Sequence, residues 1–196
     1  MPKPYTPNDK WSQRAAAEGY RARSVYKLME LDERFGLLKP GMTVLDLGAA
    51  PGSWLQYTSQ QIGPEGRAIG LDLAPIEPIG KNVETLTQDI TDLGAIDRIL
   101  QERSIKQVDL ILSDIAPNTS GIKDVDQWRS VELNQSAVAI AEKWLKPGGR
   151  CVLKIFRGAD FDEFLGQLKR TLRDVRIVTV KASRNRSREV YLVMKK

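Results

Sequence analysis

The chain contains no histidine. That absence excludes histidine general bases, mixed His/Cys zinc sites and Ser–His–Asp triads. Any proton chemistry therefore falls to Lys, Asp, Glu, Tyr or the lone cysteine. Cys151 stands by itself in the apolar run Arg150–Phe156. A single thiol cannot close an intramolecular disulfide, which fits a reducing cytosol and a buried, inert side chain. The N-x-S/T matches at Asn118 and Asn185 are then chance. No apolar stretch approaches the ~20 residues of a membrane span, and the opening MPKPYTPNDKW has no apolar leader segment. The expectation is a cytoplasmic chain without membrane contact. Internal repeats and low-complexity tracts are also lacking.

What is present suits one globular unit. With 196 residues, 41% of them hydrophobic, a single domain over 1–196 with one substantial core is expected, as a monomer without an obligate protein partner. Pro2, Pro4 and Pro7 make residues 1–20 read as an irregular basic arm. The net charge of +5 hides an asymmetry. Residues 1–27 carry six Lys/Arg against two acids, residues 169–196 carry ten against two, and residues 28–168 carry fourteen against twenty-one. Basic ends around an acidic centre suggest a polyanion-binding rim, with nucleic acid the first candidate. Termini made basic for solubility are the bland alternative.

The patterning is that of an α/β protein. A helix is predicted over Arg21–Phe35, with Val25, Leu28, Met29 and Phe35 on one face. Strand-like runs follow at Thr43–Leu47, Ala68–Leu73, Val83–Gln88, Val108–Ser113 and Arg150–Phe156, with helical patterns at Ser53–Ile62, Asp124–Leu145 and Asp160–Leu172. This alternation predicts a Rossmann-like, mostly parallel sheet with helices on both faces. Val175–Val180 and Glu189–Met194, joined by the short basic loop Lys181–Arg188, read as a hairpin. One strand near the carboxyl end should therefore run antiparallel.

The most informative segment is Leu45–Trp54, LDLGAAPGSW. A short apolar strand ends in the turn Gly48-Ala49-Ala50-Pro51-Gly52, which leads into a helix. A glycine at the carboxyl end of a strand lets backbone approach a ligand closely, and in open α/β sheets nucleotide-like ligands bind there. The spacing is neither GxGxxG nor GxxxxGK[ST]; it is similar to the DxGxxPG turn of S-adenosylmethionine (SAM) methyltransferases. A strand–turn–helix corner with glycines only for geometry is the plainer reading. Asp72 closes the second strand where doubly wound folds place an acid on ribose hydroxyls. Asp89 closes the third and could meet an adenine, although an acid there is also a common helix cap. Asp114 follows the apolar strand 109–113, at its carboxyl end beside the glycine turn. Lys154 sits inside an apolar run, where an amine must snorkel, pair or lose its charge. Glu189 opens the last strand. Lys27 lies opposite the apolar stripe of its helix and by itself reads as a solvated lysine.

At five motifs the chain resembles the FtsJ/RrmJ family of ribosomal RNA ribose 2′-O-methyltransferases. They are Ser24–Leu28 (SVYKL), DLGAAPGSW, SDIAPNTSG at Ser113–Gly121, LKIFRG at Leu153–Gly158 and SRNRSREVY at Ser183–Tyr191. The resemblance runs in order from Ser24 onward. It implies a catalytic tetrad of Lys27, Asp114, Lys154 and Glu189, SAM as cofactor, and SAM contacts at Gly48, Gly52, Trp54, Asp72, Asp89 and Asp114. It also favours the A-loop uridine of large-subunit RNA as target. No metal is implied, because no cluster of ligands with suitable spacing appears in the sequence. Relatives often carry Lys-Pro shortly before the arginine loop, where this chain has Thr179-Val180-Lys181, a difference that bears on RNA contact.

The tetrad makes chemical sense. Transfer of a methyl group to a ribose hydroxyl is an in-line displacement that needs the hydroxyl positioned and its proton removed. Lys154 can be the base if it is uncharged when needed, which a second ammonium at Lys27 and partial burial both favour. In the alternative division Asp114 takes the proton and both lysines only position. RNA contact is expected at Lys3, Lys10, Arg14, Arg21 and Arg23, and at Arg184, Arg186 and Arg188, since arginine forks suit phosphates. Tyr5, Trp11 and Tyr20 are either base-stacking platforms or anchors of the arm. Rival readings are the same chemistry on transfer RNA or an mRNA cap, and an RNA-binding assembly factor with a vestigial SAM site.

Overall fold

The computed structural model describes residues 9–117, 120–183 and 188–196. In chain order the elements are α1 (Lys10–Ala17), α2 (Val25–Phe35), β1 (Thr43–Leu47), α3 (Ser53–Ile62), β2 (Arg67–Asp72), β3 (Val83–Thr87), α4 (Leu93–Glu102), β4 (Val108–Ser113), α5 (Lys123–Trp144), β5 (Leu145–Phe156), α6 (Phe161–Thr171), β6 (Arg173–Val178) and β7 (Glu189–Lys195). The strands form one seven-stranded sheet in the order β3-β2-β1-β4-β5-β7-β6. All neighbours from β3 to β5 pair parallel. β7 runs antiparallel to both β5 and β6, as the short connection Lys181–Arg188 requires.

Side-chain alternation splits the core into two layers. Leu45, Leu47, Ile111, Leu153 and Leu192 face α4, α5 and α6. Val44, Leu110, Leu112, Val152, Tyr191 and Val193 face α2 and α3. Burial of each fully enclosed leucine contributes about 1.5–3 kcal/mol. The order reverses between β1 and β4, so the crevice outside their carboxyl ends is the place where such sheets hold ligands.

The arm differs from the sequence expectation. Residues 10–17 are helical because Asp9 caps them, accepting from the amides of Trp11 and Ser12, each at 3.0 Å. Trp11 and Tyr20 pack on Tyr26 at centroid distances of 5.2 and 6.5 Å, so they anchor the arm; Tyr5 lies outside the described residues. α2 starts at Val25 rather than Arg21 because tertiary bonds hold the preceding turn. The Arg21 amide donates to Gln56 Oε1 at 2.9 Å, and its guanidinium donates to the carbonyls of Pro51, Glu77 and Pro78.

Candidate active site

A cavity of about 850 Å³ opens at the carboxyl ends of β1, β2 and β4. Gly48, Asp72, Asp89 and Asp114 line it, and Arg129 and Glu132 of α5 close its far wall. The turn below it tolerates no side chain at its two glycines. Gly48 has φ +71°, and a Cβ there would meet Ile115 Cβ at 2.7 Å; Gly52 has φ +100°, and a Cβ would meet the Arg21 guanidinium at 2.9 Å. Arg21 thus ties the 77–78 loop to the glycine turn.

Asp72 points both carboxylate oxygens at local amides, Oδ2 accepting from Ala50 at 2.9 Å and Oδ1 from Ala74 at 2.8 Å. Each oxygen keeps lone-pair capacity toward the cavity. Asp89 Oδ1 accepts from the Thr91 amide and hydroxyl, both at 2.8 Å, while Asp92 caps α4. Trp54 is placed differently from the rest of the expected cofactor set. It is buried, its indole N–H donates to the Ser24 carbonyl at 2.8 Å, and it edges a smaller cavity of about 30 Å³ shared with Asp46 and Asp114.

Beside the large cavity four charged side chains meet. Lys154 Nζ lies 3.0 Å from Asp114 Oδ1 and donates to the Asp114 carbonyl at 2.5 Å. Lys27 Nζ lies 2.7 Å from Glu189 Oε1 and 3.9 Å from Asp114 Oδ1. All four are largely shielded from solvent. Lys27, which by itself on its helix reads as a solvated lysine, is buried, because Asp114 and Glu189 arrive from distant chain segments to pair with it. Burial works to raise Glu189, but the Lys27 charge, hydrogen bonds from Lys27 and from Ser183 at 2.6 Å, and the Lys154 charge outweigh it, leaving the carboxyl below its usual range.

A lowered folded-state value means that the carboxylate stabilises the fold above the ordinary glutamate value of about 4.3 and loses this contribution as pH falls through the folded value. Glu189→Gln should therefore lower the melting temperature at neutral pH, with the gap to the parent closing on acidification. Melts from pH 7 to pH 3 check this; a gap that widens toward acid would contradict it.

Two residues with no assigned role complete the site. The Tyr191 hydroxyl, fully buried, donates to Asp114 Oδ1 at 2.7 Å. Burial first, then the Asp114 and Glu189 charges, push this phenol well up, so it stays a donor. Its signal was legible: Tyr191 lies two residues from Glu189 on a strand, hence on the same face. Asp46 is 1% exposed, with Oδ2 lacking any hydrogen-bond partner among the described residues. Burial, then the charges of Asp114 and Asp72, raise it well above the carboxylate range. An acid inside the apolar strand TVLDL was its mark in the sequence.

Of the arginines expected on RNA, Arg21 spends its donors as described and Arg23 bonds Asp9 and the Ala182 carbonyl. Both brace the chain itself. Arg188 is exposed; Arg184 and Arg186 lie outside the described residues. Arg14 pairs with Glu18 at 2.7 Å. Cys151 is buried, which pushes its thiol up. Among the described residues no helix is long and apolar enough to cross a membrane, and no group of three or more His, Cys, Asp or Glu could hold a metal.

The FtsJ-like methyltransferase model matches residues 20–196, which takes in α2, the glycine turn and all four charged residues. The chain belongs to that family. Within the FtsJ-like family it is 47% identical over 186 residues to "Ribosomal RNA large subunit methyltransferase E" of Azoarcus sp., covering 95% of this chain and 90% of the relative. It is 44% identical over 188 residues to the protein of the same name in Legionella pneumophila strain Corby, covering 96% and 91%. A Plasmodium falciparum crystal structure described as a ribosomal RNA methyltransferase superposes with a TM-score of 0.79 at 32% identity, covering 90% of this chain and 98% of that one. The FtsJ-like fold thus supplies the sheet order, and the charged cluster sits where its crevice opens.

Proposed function

We propose that this chain methylates a ribose 2′-hydroxyl of large-subunit ribosomal RNA, using SAM as donor and the A-loop uridine as target. The observation that carries the reading is the shielded cluster of Lys27, Asp114, Lys154 and Glu189 at the mouth of the glycine-turn cavity. The names of the close relatives support the RNA and the subunit.

The residues present fit SAM. Asp72, Asp89 and Asp114 give the cavity an acidic wall that favours a cationic ligand, and the unpartnered, buried Asp46 oxygen edges the small cavity beside Asp114. Asp72 would hold the ribose hydroxyls, Asp89 and Ile90 would border the adenine, and the Gly48 turn admits the ligand without a Cβ in its path. Bound SAM supplies an electrophilic methyl carbon on sulfur. The chain supplies the rest. Asp114, fixed by Tyr191 and Lys154, orients the amine of Lys154 toward the cavity mouth. Lys154, as the neutral amine, would take the hydroxyl proton when that oxygen displaces the donor's sulfur from the methyl carbon, and Lys27, balanced by Glu189, would add positive charge beside the developing alkoxide.

The deciding experiment supplies labelled SAM with isolated large subunits, naked ribosomal RNA, transfer RNA and capped mRNA, then maps 2′-O-methyl positions. Methylation of one large-subunit ribose is the expected result, and exclusive methylation of transfer RNA or cap would sink the reading. Asp72→Ala should weaken SAM by about 1–3 kcal/mol through lost charge-assisted hydrogen bonds. Titration calorimetry checks this, and unchanged affinity would remove Asp72 from the cofactor set.

A further inference from the structure

The basic excess over residues 169–196 is larger than the Lys181–Arg188 loop can account for, since ten Lys/Arg fall in that stretch and only Lys181, Arg184, Arg186 and Arg188 belong to the loop. Others gather at the opposite end of the sheet. Arg34 of α2, Arg150 of β5, Arg176 of β6 and Lys195 of β7 line a groove of about 230 Å³, with Asp174 its one carboxylate.

The strand register makes this gathering costly. Arg150 stands directly opposite Lys195, and Lys195 directly opposite Arg173. Three cations thus form a row across three adjacent strands, an arrangement that destabilises a sheet unless something negative lies over it. Local compensation is slight. Lys195 reaches Asp174 only at 3.7 Å, with side chains 44% and 65% exposed, and such surface pairs are worth little. Arg150 turns toward the Phe35 and Gly36 carbonyls at the end of α2, and Arg34 donates to the Thr179 carbonyl at 2.9 Å and pairs with Glu30, one turn back on α2, at 3.5 Å. The Arg173 and Arg176 side chains have no hydrogen bond or ion pair among the described residues.

The groove also shares a sheet face with the reaction centre. Lys154 pairs opposite Tyr191 as Arg150 does opposite Lys195. Four residues of strand at ~3.3 Å each put Arg150 about 13 Å from Lys154 along β5. The seven residues of α2 from Lys27 to Arg34 cover about 10 Å at 1.5 Å each. One helix and one strand thus run from the cluster to the groove, over about 10–13 Å.

We propose that this groove binds the phosphate backbone of the RNA substrate a few nucleotides from the methylated ribose, as a contact separate from the arginine loop. The inference rests on the RNA-methylating function proposed above. Arginine forks match phosphate oxygens, and such contacts hold the strand without reading bases.

The test uses Arg176→Glu/Lys195→Glu, with the gentler Arg176→Ala/Lys195→Ala in case charge reversal prevents folding, and the charge-preserving Arg176→Lys/Lys195→Arg. Binding to large-subunit ribosomal RNA and methylation are measured between 50 and 200 mM salt. The expected result is an RNA KM raised about tenfold or more and a log K against log salt slope shallower by about 1–2. Turnover at saturating RNA and SAM affinity should stay at parental values, the melting temperature should hold or rise as the cation row is relieved, and the charge-preserving pair should behave as the parent. If the parent methylates RNA and both charge-removing variants keep its KM and salt slope, the groove proposal alone falls. If the parent neither binds nor methylates RNA, the functional reading falls and takes the groove with it.

Discussion

Lys154→Ala should retain SAM and RNA binding while losing about 10²–10⁴-fold in single-turnover rate, the usual contribution of a general base. The side chain is 8% exposed and, among the described residues, its amine bonds only Asp114, through carboxylate and carbonyl, so its removal leaves the cofactor cavity intact. Lys154→Arg separates proton transfer from charge. A guanidinium keeps the positive charge but does not deprotonate in proteins, so the arginine variant should fail nearly as badly as alanine. Both are measured at saturating SAM and RNA. An arginine variant close to parental rate would move proton acceptance to Asp114 and leave Lys154 as a positioning charge.

Asp114→Ala should be the most destabilising single change in the site. It removes the carboxylate shared by Lys154, Lys27 and Tyr191, leaving two shielded ammonium groups with only Glu189 between them. Breaking a buried pair from one side costs ~3–5 kcal/mol. Because the Asp114 side chain keeps 17% of its exposure, water recovers part of that, and about 3 kcal/mol is expected. Combining Asp114→Ala with Lys154→Met removes the stranded charge and should restore most of the loss, a coupling that denaturant melts of the four proteins measure directly. Additive losses would mean that the cluster is screened by water. Activity should vanish in every variant lacking Asp114.

The sheet was legible in the sequence because its strands are apolar runs separated by turn residues, and the antiparallel strand because an eight-residue connection is too short for a crossover. The glycine turn was legible for the same local reason: its spacing carries its geometry. What stayed hidden depends on distant partners. Lys27 looks the same on a helical wheel whether it meets water or Glu189. Arg21 and Arg23 look like RNA ligands until the carbonyls of Pro51, Glu77, Pro78 and Ala182 are seen to occupy them. α1 was missed because three prolines precede it and its sequence is polar, while its stability comes from the Asp9 cap and the packing of Trp11 on Tyr26.

The position of β7 bears on how such a chain assembles. β7 follows β6 in sequence, yet it lies between β5 and β6 in space. The two earlier strands must therefore leave a one-strand gap, and a premature β5–β6 zipper would lock the newcomer out. Pairings of this kind bring together residues far apart along the chain and slow the search for the native arrangement. Glu189 and Tyr191 travel on the inserting strand, so a molecule halted just before that step would have β1 to β4 in place with Lys27 lacking Glu189, the nearer of its two counter-ions. Catalytic competence thus becomes a readout of completed sheet closure, and refolding followed by methyl transfer should lag refolding followed by helix content.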